Sequence, residues 1–193
     1  ESVRSLIRCR LSLKEAAKRS KQQINTFLLA QDCRWHKSKW TKAHRWWLDH
    51  LEMADEHLQT VLDEHLGHLE YLESRIQHLD DKIEQIAQSE LYAASVKKLR
   101  AFRGIGTLTA MLLIAEITDF RRFASPGALM AFLGLIPSEN SSGATQKGGS
   151  ITKAGNSRCR HVLVQAAWKY RYRPGGVRVQ GHRGPGIDRC PGG

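Results

Sequence analysis

Leu58, Leu62, Leu66, Leu69, Leu72, Ile76, Leu79, Ile83 and Ile86 follow one another at steps of three and four. That spacing predicts one long helix carrying an apolar seam, either a coiled coil or half of a long helical hairpin. One irregular step falls between Leu69 and Leu72. Glu, Asp, Gln and His fill the other faces. An earlier stretch, Ser2 to Ala30, repeats the pattern with Val3, Leu6, Ile7, Leu11, Ala17, Ile24, Phe27 and Leu28. Arg4, Arg8, Lys14, Lys18 and Lys21 are interleaved with these. Two readings fit that stretch: a packed helix with a solvated basic face, or a face that lies on a nucleic-acid backbone.

Beyond the seam the pattern breaks into shorter pieces. VKKLRAFRGIGTLTAMLLIAEI, Val96 to Ile117, reads as a basic amphipathic helix stopped at Gly104-Ile105-Gly106, then an apolar helix from Thr107. Any tight turn between helices can use such glycines. They also resemble the helix-hairpin-helix module, whose hairpin N–H groups and following helix N-terminus bind backbone phosphate. Arg103, Gly104, Gly106 and Thr107, with Lys97, Lys98 and Arg100 alongside, are the candidate contacts. Ser125-Pro126 signals a helix start and Gly134 a stop. A small-residue loop is expected around Ser141, Ser142 and Gly143, then a basic turn at Lys153. Asn156 caps a last helix bearing Arg158 and Arg160, with Val162, Leu163, Ala166, Ala167 and Trp168 toward the core. Past Pro174, Gly, Pro and Arg dominate without periodicity, which reads as a disordered tail.

The expected fold is therefore all-α, with long helices, a coiled-coil segment and a compact helical domain containing the hairpin-like element. The divisions fall at 1–91, 92–173 and 174–193.

Charge distribution sharpens this picture. From Glu52 to Glu90 there are eleven acidic residues and two basic ones, whereas the remainder holds 28 basic and 8 acidic residues. The basic parts call for an anionic polymer, and nucleic acid fits better than membrane, since no apolar run reaches the length of a span. The acidic seam repels DNA and suits spacing or self-association, which makes a homo-oligomer the expected assembly. Between Gln31 and Trp47 four tryptophans stand among lysines, histidines and arginine. They either stack on unpaired bases or bury themselves between helices. Cys9, Cys33, Cys159 and Cys190 lie far apart with no CxxC pair, which argues against a zinc ribbon or disulfide framework and fits a reducing cytoplasm. No metal site is expected in the chain. A hydroxyl on a Gly/Ser loop near a helix N-terminus and several cations suits phosphodiester chemistry, although such loops are also common solvated connections.

LRAFRGIGTLTAMLLIAEITDFRRFASPGALMAFLGLIPSENSSG, followed by GGSITKAGNSRCRHVLVQAAWKYRYRP, closely resembles the C-terminal transposase domain of the insertion-sequence-110-type transposases, recombinases guided by a bridge RNA. FLLAQDCRW, WTKAHRWWL and the leucine seam are similar to that family's middle helical region. The resemblance implies DNA transposition in a bacterial, nucleoid-associated setting, with double-stranded DNA and a guide RNA as partners. It places the nucleophile on Ser142, with Ser141 as the adjacent alternative. Attack on a scissile phosphate would leave a phosphoserine-linked strand that stores the bond for later exchange. Lys153, Arg158 and Arg160 are the cations expected to help neutralise its charge. The family's magnesium belongs to a RuvC-like domain with four acidic residues, which nothing before Ser2 supplies. The tail also departs from the family pattern and looks like out-of-frame translation. The expectation is a chain inactive as a transposase alone. Glu116 and Asp119, at the end of a core helix, are not assigned to metal. The alternative is a non-catalytic nucleic-acid-binding or coiled-coil assembly module.

Overall fold

In a computed structural model, residues 1–142 and 145–171 are described; side chains are described outside 139–148. Among these residues the chain forms seven α-helices and one two-stranded sheet, so the all-α expectation holds with one addition. The seam lies on α3 (Glu56–Ala87), which packs along α1 (Ser2–Ala30). Pairings of Arg10 with Asp80 and Lys21 with Glu73 show that the two helices run antiparallel. Between them the chain turns through α2 (Lys42–Asp49), capped by Thr41, whose hydroxyl accepts from the His44 N–H.

The seam is thus a hairpin within one chain. Leu62, Leu69 and Leu72 are buried with Ala17, Ile24 and Leu28 of α1 in one apolar cluster. The opposed charges of the sequence are matched across this hairpin. Arg10 pairs with Asp80, and Glu73 takes both Lys21 at 2.7 Å and Arg45 at 2.8 Å.

The second core cluster straddles the chain. Ile7 of α1 and Ile83 and Ala87 of α3 join Val96 of α4 (Glu90–Arg100). At its centre is α5 (Thr107–Ile117), whose Ala110, Met111, Leu112, Leu113 and Ile117 are all buried. Leu133 and Cys159 close the cluster from the C-terminal side. Burial also pushes the Cys159 thiol up to about 12, so this sulfur serves as a core hydrophobe.

As expected, α6 (Pro126–Phe132) starts at Ser125, whose Oγ accepts from the Ala128 N–H, and the chain leaves it through Gly134 at φ +65°. The next segment departs from the expected loop. Strands β1 (Pro137–Ser142) and β2 (Thr145–Ile151) pair antiparallel, with a bulge near Gly149 where three steps of β2 oppose two of β1. Chain then turns through 152–156 into α7 (Ser157–Trp168) and a final turn at Lys169–Arg171. Trp168, expected in the core, is 55% exposed at the end of α7, with the Arg171 guanidinium over its ring. The tail assigned to 174–193 lies outside the described residues.

Candidate functional site

The base of the β1–β2 hairpin is locked to the end of α6 through backbone. The Thr152 N–H donates to the Ile136 carbonyl at 2.9 Å, and the Lys153 N–H to the Gly134 carbonyl at 3.1 Å. Lys153 is held at φ +55° and Gly155 at φ +121°. A Cβ on Gly134 would lie 2.8 Å from the Ala154 nitrogen, and one on Gly155 would lie 3.1 Å from the Phe132 carbonyl carbon. Only glycine allows these two chain segments to approach so closely.

Asn156 then does two jobs. Its Oδ1 caps α7, accepting from the Arg158 and Cys159 N–H groups at 3.1 Å each. Its Nδ2 donates to Glu116 Oε2 at 2.8 Å. Glu116, in the last turn of α5, also receives both guanidinium branches of Arg8, at 2.8 and 2.9 Å. Its side chain is only 2% exposed. Arg8 first, and then Asn156, holds its carboxyl below the usual range against the opposing effect of burial. Nearby, Arg4 Nε donates to the Ala115 carbonyl at 2.8 Å. Two of the five interleaved cations of α1 therefore brace the end of α5.

Ser141 and Ser142 sit on β1, with backbone partners Gln146 and Thr145. Gly143 lies outside the described residues, as do the side chains of both serines. Lys153 and Arg158 are exposed at the hairpin base and in the first turn of α7. Arg160 is half-buried, and its Nη1 donates to the Leu133 carbonyl at 2.9 Å, bracing the end of α6.

The second candidate group lies at the other end of α7. Gly104, at φ +88°, faces Ala166, where a Cβ would stand 2.7 Å from the carbonyl oxygen. The Arg103 N–H donates to the Tyr170 hydroxyl at 3.0 Å. Gly106 differs: it occupies the N-cap of α5, and a Cβ there would meet nothing within 4 Å. Packing accounts for Gly104, whereas Gly106 faces open space at the start of α5 and Thr107 beside it is half-buried. About 12 Å of helix, from Arg158 to Ala166, separates the two groups.

The tryptophans divide. His44, 1% exposed, lies in a cluster with Trp35, Trp40 and Trp47, and its Nδ1 accepts from the Trp40 N–H at 3.0 Å. Burial lowers the pKa of this imidazole. Trp46 stays 64% exposed, stacked on His50. Among the described residues, no three His, Cys, Asp or Glu side chains converge as a metal site, and no helix is long and apolar enough to cross a membrane.

Asn156 was readable as a cap, but its link to Glu116 was not. The available signal was a lone carboxylate in an apolar helix, which needs a partner when buried.

Residues 96–176 match the transposase family described as IS116/IS110/IS902. The chain is 36% identical over 175 residues to the putative transposase y4qE of Sinorhizobium fredii, covering 90% of this chain and 42% of that protein. It is 31% identical over 182 residues to the transposase for insertion sequence element IS1533 of Leptospira borgpetersenii, covering 93% of this chain and 53% of the relative. A probable family 20 transposase of Pseudomonas aeruginosa is 33% identical over 107 residues, 55% of this chain and 31% of its own length. The chain thus spans about half the length of the curated relatives it matches. Together these similarities liken the chain to part of the IS116/IS110/IS902 family transposases.

Proposed function

We infer that this chain of the IS116/IS110/IS902 transposase family engages DNA during transposition and contributes Ser142 as the nucleophile for strand cleavage, with Ser141 as the alternative. One observation carries the reading: the serine-bearing hairpin grows from a base locked between α6 and the N-terminus of α7. A hydroxyl on such a hairpin, close in sequence to Lys153 and Arg158, suits attack on phosphorus. The new bond is Oγ–P, and the broken bond joins phosphorus to a deoxyribose oxygen. The serine proton leaves to base or solvent, and the leaving oxygen gains one. Gly106 and Thr107, with Arg103 and Gly104 shaping the turn, hold backbone phosphate at a distance from the cleavage point.

In keeping with the resemblance, guide RNA is the second nucleic-acid partner and a homo-oligomer the working assembly, in the bacterial cytoplasm. Because α1 already covers the leucine seam, self-association draws on other surfaces or on exchange of α1 between copies. Magnesium belongs to the RuvC-like domain of the family, and no residue here is assigned to it.

The test supplies the chain with the RuvC-like domain of a relative and labelled element-end DNA, then looks for a covalent protein–DNA adduct on a denaturing gel. Ser142→Ala should abolish the adduct and preserve affinity. Loss with Ser141→Ala alone moves the nucleophile by one residue, and an adduct surviving both substitutions sinks the proposal in favour of a binding-only module.

A further inference from the structure

The cations of α1 do not share one fate. Arg4 and Arg8 are committed to α5, and Arg10 and Lys21 to Asp80 and Glu73 of α3. Lys14 and Lys18 are exposed and enter no ion pair among the described residues. Arg10, Lys14, Lys18 and Lys21 recur at steps of four, four and three, so they form a single stripe along the helix.

Two open grooves flank this stripe. One, of about 540 Å³, lies between α1, α5 and α7, and Arg10 and Lys14 face Arg158, His161 and Gln165 across it. The other, of about 550 Å³, lies between α1 and α3, with Lys14, Lys18 and Lys21 along one wall and Trp40 and Gln77 opposite. Lys14 lines both grooves. They are consecutive parts of one track, which begins beside the first turn of α7 and ends at Trp40. From Arg10 to Asn25 it runs along about 22 Å of helix.

We propose that this track holds the sugar–phosphate backbone of a nucleic-acid strand leading to or from the hairpin base. The inference rests on the reading of the chain as a nucleic-acid-engaging protein, and it adds a surface remote from the hairpin and from the Gly104–Thr107 turn. Three observations carry it. Unpaired ammonium groups at helical spacing match a linear polyanion. Amide side chains from three helices supply neutral donors along the same line. The acidic residues nearby are largely occupied: Asp80 by Arg10, Glu73 by Lys21 and Arg45, with Glu15 the carboxylate left at the groove wall. Arg158, in the first turn of α7, stands where the track meets the hairpin base. Phosphodiester chemistry is common to DNA and RNA, so the test carries both.

The experiment measures binding of the full chain to labelled duplex DNA and to single-stranded RNA, as fluorescence anisotropy across a salt series. The variants are Lys14→Glu/Lys18→Glu and, as a control with the same charge change on the acidic helix, Arg75→Glu/Lys82→Glu. The track variant should bind at least about tenfold more weakly, with a salt slope shallower by roughly 2 on duplex or about 1.4 on single strands, as for two lost phosphate contacts. The control should retain most affinity, and circular dichroism should be unchanged in both. Whichever polymer loses the larger factor in affinity on the track substitutions, at one salt concentration, is the one the track holds. Equal loss in both variants marks a bulk charge effect and overturns the inference. Wild-type affinity in the track variant also overturns it, while leaving the hairpin reading intact. A wild-type chain that binds neither polymer ends both.

Discussion

Asn156 Nδ2 and Glu116 Oε2 meet at 2.8 Å across forty positions of sequence. The contact joins the cap of α7 to the last turn of α5, and the bidentate ion pair of Glu116 with Arg8 extends it to α1. The turn that supports the serine hairpin is therefore fixed by side chains from both ends of the chain.

Removing that amide should be felt in two places. Asn156→Ala deletes the α7 cap, worth about 1 kcal/mol, and leaves a buried carboxylate with one donor fewer, for a combined loss of roughly 2–3 kcal/mol. Asn156→Asp keeps a good cap but sets a second carboxylate against Glu116. It should therefore be less stable than Asn156→Ser and recover part of the difference on mild acidification, as read by urea denaturation at several pH values. Equal stability of the Asp and Ser variants would falsify the coupling.

Acid should unfold the chain in two stages. His44 has a depressed pKa because burial disfavours its charged form, so the unfolded chain binds a proton first as pH falls below about 6.5. Stability declines from there through the folded value. Glu116 and Glu73 are also depressed, chiefly by Arg8 and Arg45 respectively. Their contribution is complete above the ordinary carboxylate value near 4.5 and is lost as pH falls through their lower folded values. Glu116→Gln should lower stability at neutral pH and flatten the second stage, leaving the first unchanged. A thermal-denaturation series from pH 8 to about pH 3 reads both stages.

Much of this arrangement was legible in the sequence because it follows from local rules. The leucine spacing fixed α3 and its buried face, and Ser125-Pro126 and Asn156 marked helix starts that the structure bears out. What covers the seam was not legible, because periodicity shows that a face is buried without naming its partner. Here α1 fills it, and the acidic run matches basic residues in the same chain. The hairpin at Ser142 was missed for a different reason. PSENSS and TQKGGSI lack the alternating apolar pattern of a half-buried strand. Backbone pairing and anchorage of the hairpin base need no such pattern. Glu116 was set aside because a carboxylate at a core helix end has no visible partner in one dimension; Arg8 lies 108 positions away.

Glycines give a sharper contrast than any core substitution. Gly155→Ala combines a positive φ with a collision against the Phe132 carbonyl, and should cost about 2–5 kcal/mol through strain and overpacking together. Gly67 lies within α3, where an added Cβ meets nothing within 4 Å. Gly67→Ala should therefore stabilise the chain by about 0.5–1 kcal/mol, through better helix propensity. Opposite shifts in melting temperature are the expected result, and shifts of the same sign would refute the assigned backbone geometry.

Lys153 separates strain from charge at the hairpin base. Its φ of +55° is a conformation that costs a non-glycine residue about 1–2 kcal/mol, and its side chain is exposed. Lys153→Gly relieves that strain while loosening the unfolded chain by about 0.5–1 kcal/mol, so stability should hold or rise by up to about 1 kcal/mol. Lys153→Ala retains the strain and gains nothing. Both substitutions remove the same positive charge, and both should weaken DNA binding with a salt slope shallower by about 0.9 for one lost phosphate contact. Matched losses of affinity with unequal stabilities would identify Lys153 as a cation kept in an unfavourable backbone conformation for its ligand. Full affinity in both variants would reduce the residue to a turn former.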